Sequence, residues 1–238
     1  MPEIPLPTDP ALARFAGIRA WVFDLDDTLY PHHTGLFEQV SERILLYVER
    51  QLSCGREQAL AVRADFCRRH GTTLRGLIVE HGIDPAPFLD FVHDIDHSKL
   101  EADPALVGTI ERLPGRRFVL TNGSQDHAER ILARLGFRDP FDDIFDIIRA
   151  DFVPKPHPDT YARFLGRNGI DPASAAMFED LPRNLEVPKS LGMATVLVVP
   201  RGTAEAPVEA WEARANTAHI DHQTDDLPAF LARIAPNA

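Results

Sequence analysis

Three carboxylates and a hydroxyl close the stretch Trp21 to Tyr30, W-V-F-D-L-D-D-T-L-Y. The residues ahead of them favour a buried strand, so the acids stand where the C-terminal end of that strand meets solvent. Side chains alternate along a strand, which predicts Asp24 and Asp26 on one side, with Asp27 turned away or already in the loop. Like charges held that close raise the proton affinity of one of them. Such a pair can keep one acid ionised while the other carries a proton. Asp26-Asp27-Thr28 alone would equally serve as a helix N-cap, so the chemistry depends on what else the chain brings to the same place.

The elements that would position these groups alternate. After Pro31-His32-His33-Thr34-Gly35 breaks the pattern, Leu36, Val40, Ile44, Leu45 and Val48 recur at helical spacing. Helical segments follow near 56–70, 73–81 and 85–93, and no convincing strand lies between 34 and about 105. Strands are expected at 117–121, 145–149, 175–178 and 195–199, with another at 218–222. Helices are expected at 125–135, ending at Gly136, and at 158–168. Strands separated by helices imply an α/β fold: a doubly wound, mainly parallel, Rossmann-like sheet with helices on both faces. The helical block after the first strand then reads as an inserted all-helical cap. This gives a discontinuous core, 1–33 and 106–238, and a cap at 34–105. Residues 1–18 are proline-rich, then polar, and are expected to wrap the surface.

In an open parallel sheet, ligands sit outside the carboxyl ends of the strands. The second strand ends in Thr121-Asn122-Gly123-Ser124, where a hydroxyl, backbone N–H groups and a helix start suit an anion. Lys155 follows the third strand, held between Pro154 and Pro156, whose rings restrict the backbone and aim the side chain. The fourth strand ends in Met177-Phe178-Glu179-Asp180, with Asn184 close behind, and acids there suggest a metal if other acids face them.

Four polar clusters at one sheet edge, in this order, resemble the motifs of the haloacid dehalogenase superfamily of phosphohydrolases. The runs D-L-D-D-T-L-Y-P-H, T-N-G-S-Q-D-H-A-E-R, K-P-H-P-D-T-Y and F-E-D-L-P-R-N-L-E resemble its pyrimidine 5'-nucleotidase branch. The resemblance implies that Asp24 is a nucleophile forming an aspartyl-phosphate and that Asp26 is the general acid and base. It implies Mg²⁺ on the Asp24 carboxylate, the Asp26 carbonyl and the Asp180 carboxylate, with Thr121, Asn122 and Lys155 on the phosphoryl oxygens. The expected substrate is a small phosphomonoester, first a pyrimidine nucleoside 5'-monophosphate. Another small ester such as phosphoglycolate or a sugar phosphate, and a phosphomutase, are the alternatives. A catalytically inactive binding or regulatory protein is the reading of a different class, and it predicts damaged motif acids, of which none is seen.

Asn184 stands where many relatives have a second acid, which implies that it orients a metal-bound water rather than contributing charge, and with Glu179 it is expected just outside the metal's own ligands. Pro188 falls inside an expected helix over 184–191 and predicts a kink near the metal loop. Tyr30, His32, His33, Phe37 and Arg75 are candidate substrate contacts. His93 and His97 have the i,i+4 spacing of a zinc pair without a third ligand, and read as a polar helix end. The arginines at 56, 63, 68 and 69 read as a solvated helix face.

At 238 residues and 44% hydrophobic, the chain can bury a core of ordinary globular composition. A net charge of -11 disfavours nucleic-acid polymers and acidic membranes, so an anionic substrate needs a local positive site. The N-terminal M-P-E-I-P-L-P-T-D-P carries neither the basic nor the apolar region of a leader, and no apolar run is long enough to span a bilayer, which reads as cytoplasmic. Cys54 and Cys67 lack metal or redox spacing and are expected to be reduced.

Overall fold

The computed structural model describes residues 10–203 and 217–235. Its centre is a six-stranded, wholly parallel sheet in the order β3-β2-β1-β4-β5-β6. The strands are β1 (Ala20–Phe23), β2 (Arg116–Leu120), β3 (Asp143–Phe145), β4 (Ala175–Glu179), β5 (Ala194–Val198) and β6 (His222–Thr224). The direction of winding reverses between β1 and β4, where a crevice must open at the carboxyl ends. Phe23 lies opposite Phe178, and the Asp24 N–H donates to the Phe178 carbonyl at 2.9 Å, so pairing continues to the first acid.

Alternation along the strands divides the core between the two faces. Trp21, Phe23, Val119, Phe178 and Val196 pack with the helices α5 (Pro104–Glu111), α6 (Gln125–Leu135) and α9 (Leu227–Ile234). Val22, Phe118, Leu120, Met177 and Leu197 face the other way, onto Tyr161 and Phe164 of α7 (Pro158–Asn168). Each fully buried side chain of this size contributes about 1.5–3 kcal/mol. Among residues 1–18, expected at the surface, Leu12 and Phe15 of the 3₁₀ helix Pro10–Gly17 are buried, with Phe15 stacked on Trp21. Residues 1–9 lie outside the described part.

Between β1 and β2 the chain forms α1 (Leu36–Leu52), α2 (Arg56–His70), α3 (Thr73–His81) and α4 (Pro85–Val92), which share an apolar cluster that also takes in Ile147 from beyond β3. Ile95 packs against both this cluster and that of Trp21 and Phe23, and the next helix, α5, begins at Pro104. Its start, Asp103-Pro104, repeats the cap of α4 at Asp84-Pro85. In each the aspartate accepts a backbone N–H and proline sits in the first turn. Gly76 has a packing reason: a Cβ there would collide with the Phe66 ring, so glycine lets α3 lie against α2.

Two strands lie off their expected positions. β3 ends at Phe145 because the Asp146 carboxylate accepts the N–H groups of Gln125 and Arg149 and turns the chain. β6 covers 222–224 rather than 218–222, because Asp221 is taken up by the Thr195 N–H and Lys189.

Pro188 does not kink a long helix. A 3₁₀ turn, Pro182–Leu185, runs into the short helix α8 (Glu186–Ser190), so the proline stands in a first turn where N–H groups lack partners anyway. The Asn184 carbonyl, four residues back, accepts the Tyr161 hydroxyl at 2.7 Å instead. Among the described residues no helix is long and apolar enough to cross a membrane.

Candidate active site

At the reversal point, Lys155 is the hub. Its ammonium donates to Asp24 Oδ1 at 2.6 Å and to Glu179 Oε1 at 2.8 Å, and the side chain is only 1% exposed. Burial alone would lower its proton affinity; the two carboxylates outweigh this and raise it. Glu179 also accepts from Asn184 Nδ2 at 2.5 Å and from the Leu181 N–H at 2.7 Å. Asp24, Glu179 and Asp180 are all buried and bring carboxylate oxygens within 4.8 Å of one another.

Three neighbouring carboxylates, with one ammonium bonded to two of them, leave negative charge in a dry place. Burial raises the Asp24 carboxyl, the Lys155 charge opposes this, and Glu179 and Asp26 add to it, giving about 7. Burial, then Glu179 and Asp24, push Asp180 well above the ordinary carboxyl range. Asn184 lines the same cavity, and its buried Oδ1 lacks a partner. An all-oxygen donor set with unrelieved negative charge and an unpaired amide oxygen fits a hard divalent cation. Glu179, already bound to three donors, fits the role of holding Lys155 and Asn184 in place.

Asp24 and Asp26 differ in proton affinity, and their surroundings show why. β1 ends at Phe23, so both acids lie in the turn beyond the strand, and Asp27 there has φ +56°. Asp26 Oδ1 accepts the Tyr30 hydroxyl at 2.6 Å and His127 Nε2 at 2.9 Å. Burial would raise Asp26, but the charge and hydrogen bond of His127, with the bond from Tyr30, bring it down to about 2. Asp24 is the acid with raised proton affinity.

Thr121 Oγ1 accepts the Gly123 N–H at 2.9 Å and keeps its own hydrogen for a ligand. The Asn122 side chain is turned onto the loop that carries Lys155. It donates to the Lys155 carbonyl at 3.2 Å and accepts the Lys155 N–H at 2.8 Å, so it fixes the backbone that carries the lysine.

A cavity of about 510 Å³ opens over these groups. Its floor includes Asp24, Asp26, Asp180, Thr121, Asn122 and Lys155, and its walls come largely from α1 to α4. His32 and Phe37 line it, and His32 Nδ1 pairs with Asp27 Oδ2 at 2.9 Å. Tyr30 and Arg75 do not line it: Tyr30 is 1% exposed with its hydroxyl on Asp26, and Arg75 leaves that place to Arg63. His93 is no bare helix end, because it is buried and stacks on His127 with ring centroids 4.3 Å apart. Cys54 and Cys67 form no disulfide.

His127 was missed by sequence reasoning, although the T-N-G-S-Q-D-H run contains it. The available signal was its place three residues after Ser124, whose Oγ caps α6, which puts it in the first turn of a helix opening on the catalytic edge.

A family model described as haloacid dehalogenase-like hydrolase matches residues 18–192. Phosphate metabolism protein 8 of Saccharomyces cerevisiae is 26% identical over 214 residues, covering 82% of this chain and 64% of that protein. Fructose-1-phosphate phosphatase YqaB of Escherichia coli is 35% identical over 95 residues, 38% of this chain and 49% of that protein. The chain thus spans less than two thirds of the length of these curated relatives. The L-2-haloacid dehalogenase of Xanthobacter autotrophicus is 20% identical with a TM-score of 0.54, covering 93% of this chain and 100% of that one. Magnesium-bound YfnB of Bacillus subtilis is 14% identical with a TM-score of 0.57, covering 91% of this chain and 98% of that one. These two likenesses concern the fold. Because the family model runs from the residues before β1 through α8, the span that carries every acid and the lysine of the crevice, this chain belongs to the haloacid dehalogenase-like hydrolases.

Proposed function

We propose that this protein is a Mg²⁺-dependent phosphomonoesterase acting through an aspartyl-phosphate on Asp24, with residues 34–105 serving as a cap over the site. The observation that carries the reading is the buried Lys155 ammonium, shared by Asp24 and Glu179 at the winding reversal. A phosphate dianion must meet an ionised Asp24 there, which needs positive charge beside both. Mg²⁺, held by Asp24, Asp180 and the Asp26 carbonyl with Asn184 nearby, would supply charge against the phosphoryl oxygens. Lys155, the Thr121 hydroxyl and the Asn122 backbone N–H would orient those oxygens for in-line attack.

Asp24 attacks phosphorus as the ester P–O bond breaks, and Asp26 gives the leaving oxygen its proton. Asp26, ionised again, then takes a proton from the water that cleaves the acyl-phosphate, releasing inorganic phosphate and restoring Asp24. The low proton affinity of Asp26 in the free protein suits the second step. For the first step, the approaching dianion raises it.

A raised folded-state value means that Asp24 costs stability as pH rises from the ordinary carboxyl range through about 7, and Asp180, also raised, adds a cost of the same sign. Mg²⁺ offsets that penalty, and below pH 7 it must displace protons, weakening affinity by about tenfold per pH unit for each proton displaced. The Mg²⁺-induced rise in Tm should therefore be larger near pH 8 than near pH 5.5, and Asp180→Asn should remove most of it. Equal rises at both pH values would count against this metal site.

The substrate we propose is a pyrimidine nucleoside 5'-monophosphate. The motif resemblance supports it, and so does a wall that presents Phe37, Leu74 and Phe88 together with Ser41, Arg63 and Thr73, suited to a ring with a polar edge. An acyclic or polyhydroxylated leaving group would leave much of the apolar wall unused. Steady-state comparison of UMP, CMP, dTMP, AMP, phosphoglycolate and fructose 1-phosphate tests this, with kcat/KM expected highest for a pyrimidine nucleotide. A tenfold preference for phosphoglycolate or fructose 1-phosphate, about 1.4 kcal/mol, would overturn the nucleotide but keep the phosphatase.

A further inference from the structure

Asp26 has two oxygens, and the fold treats them differently. Oδ1 accepts the Tyr30 hydroxyl at 2.6 Å and His127 Nε2 at 2.9 Å, whereas among the described residues no partner bonds Oδ2. Both donors are rigid. Tyr30 is 1% exposed and His127 fully buried. His127 lies in the first turn of α6, where the Ser124 cap orients it. Its ring is covered by His93, which closes the C-terminal end of α4 and stacks nearly parallel to it at an interplanar angle of 12°. His93 Nδ1 is in turn 3.0 Å from Ser124 Oγ. One side chain from the helical insertion thus braces the group that holds Asp26.

We propose that Tyr30 and His127 are positioning residues that clamp Asp26 Oδ1 and reserve Oδ2 for proton exchange with the leaving oxygen, with His93 bracing the clamp from the insertion. The inference rests on the phosphatase reading and adds to it an assignment of which oxygen works and what aims it. Two donors on one oxygen stop the carboxylate rotating about its last bond, so the other oxygen stays toward the cavity. Proton transfer depends on alignment within hydrogen-bond reach, and a loose carboxylate forfeits much of a contribution that is typically 10²–10⁴-fold. A bond to Oδ1 also leaves the proton of the acid form on Oδ2, where the ester oxygen needs it.

Leaving groups separate this from a merely structural role. A nitrophenolate leaves without a proton, whereas an alkoxide does not. Tyr30→Phe, which removes one oxygen atom, and His127→Ala should each lower the single-turnover rate of the first step, ester P–O cleavage, by about 10- to 100-fold for an alkyl phosphate and by less than about threefold for 4-nitrophenyl phosphate, whereas the second step, in which Asp26 takes a proton from water, should slow alike for both. Substrate affinity should hold for both esters. His127→Gln, which keeps a donor near the Nε2 position, should restore most of the alkyl rate. His93→Ala should give a smaller loss of the same kind. The Mg²⁺-induced rise in Tm, read on every variant, should match the parent because Asp24 and Asp180 are untouched. Equal first-step losses for the two esters, or no loss in Tyr30→Phe and His127→Ala, would overturn the clamp while leaving the phosphatase standing. An unmodified protein that hydrolyses neither ester would remove the phosphatase reading and the clamp with it.

Discussion

Asp24→Asn protein should fold, keep its cavity, and lose phosphomonoester turnover by about 10⁴-fold or more, the scale on which removal of a nucleophile is felt. The amide keeps the shape and the hydrogen-bonding reach toward Lys155 but offers phosphorus no anionic oxygen. Stability should not suffer. Asp24 stands with Glu179 and Asp180 around one ammonium, so removing one like charge relieves the cluster, and metal-free Tm near pH 8 should stay level or rise. Substrate should still bind, which equilibrium measurements with a slow ester can read. Residual turnover within tenfold of the parent would remove Asp24 from the chemistry.

The second large effect is expected at Lys155, and it falls on stability and rate together. Lys155→Met keeps the bulk of the side chain and leaves Asp24 and Glu179 buried without their shared cation. Breaking a buried pair in this way costs about 3–5 kcal/mol, which for a chain of this size lowers Tm by roughly 10 °C. The rate should fall further than instability explains, because the phosphoryl oxygens lose a fixed positive partner. A double variant separates the two losses. Adding Glu179→Gln removes an unpaired charge and should restore much of the Tm but little of the kcat, so the pair would couple in stability and not in rate. Recovery of both would mean that Lys155 serves the fold alone.

Much of this arrangement was legible in the chain because punctuation sits where periodicity changes. Gly136, in a left-handed conformation at the end of α6, and His157-Pro158 at the start of α7 mark boundaries that agree with the sequence reading. Polar clusters just after apolar runs placed Asp24, Thr121, Lys155 and Asp180 at one edge, because in a parallel sheet every strand ends on the same side. Other features turned on contacts between distant segments. That Asn122 holds the Lys155 backbone depends on two loops 33 residues apart. Tyr30 read as an aromatic ready for substrate, yet its hydroxyl turns back four residues to Asp26. Arg75 read as a substrate contact, whereas its neighbour Gly76 answers to the Phe66 ring behind it. The proton balance of Asp24 and Asp26 was argued from their proximity alone, whereas burial, Lys155 and His127 decide it.

The central claim is a covalent phosphoryl group on Asp24. Its direct test is rapid acid quenching during turnover of UMP with Mg²⁺, followed by mass mapping of the peptide that spans Trp21 to Tyr30. A phosphoryl adduct on Asp24 should appear within the first turnover, decay when substrate is exhausted, and be absent from Asp24→Asn protein. Sustained release of inorganic phosphate with no adduct on that peptide at any quench time, or an adduct on another residue, would contradict the account.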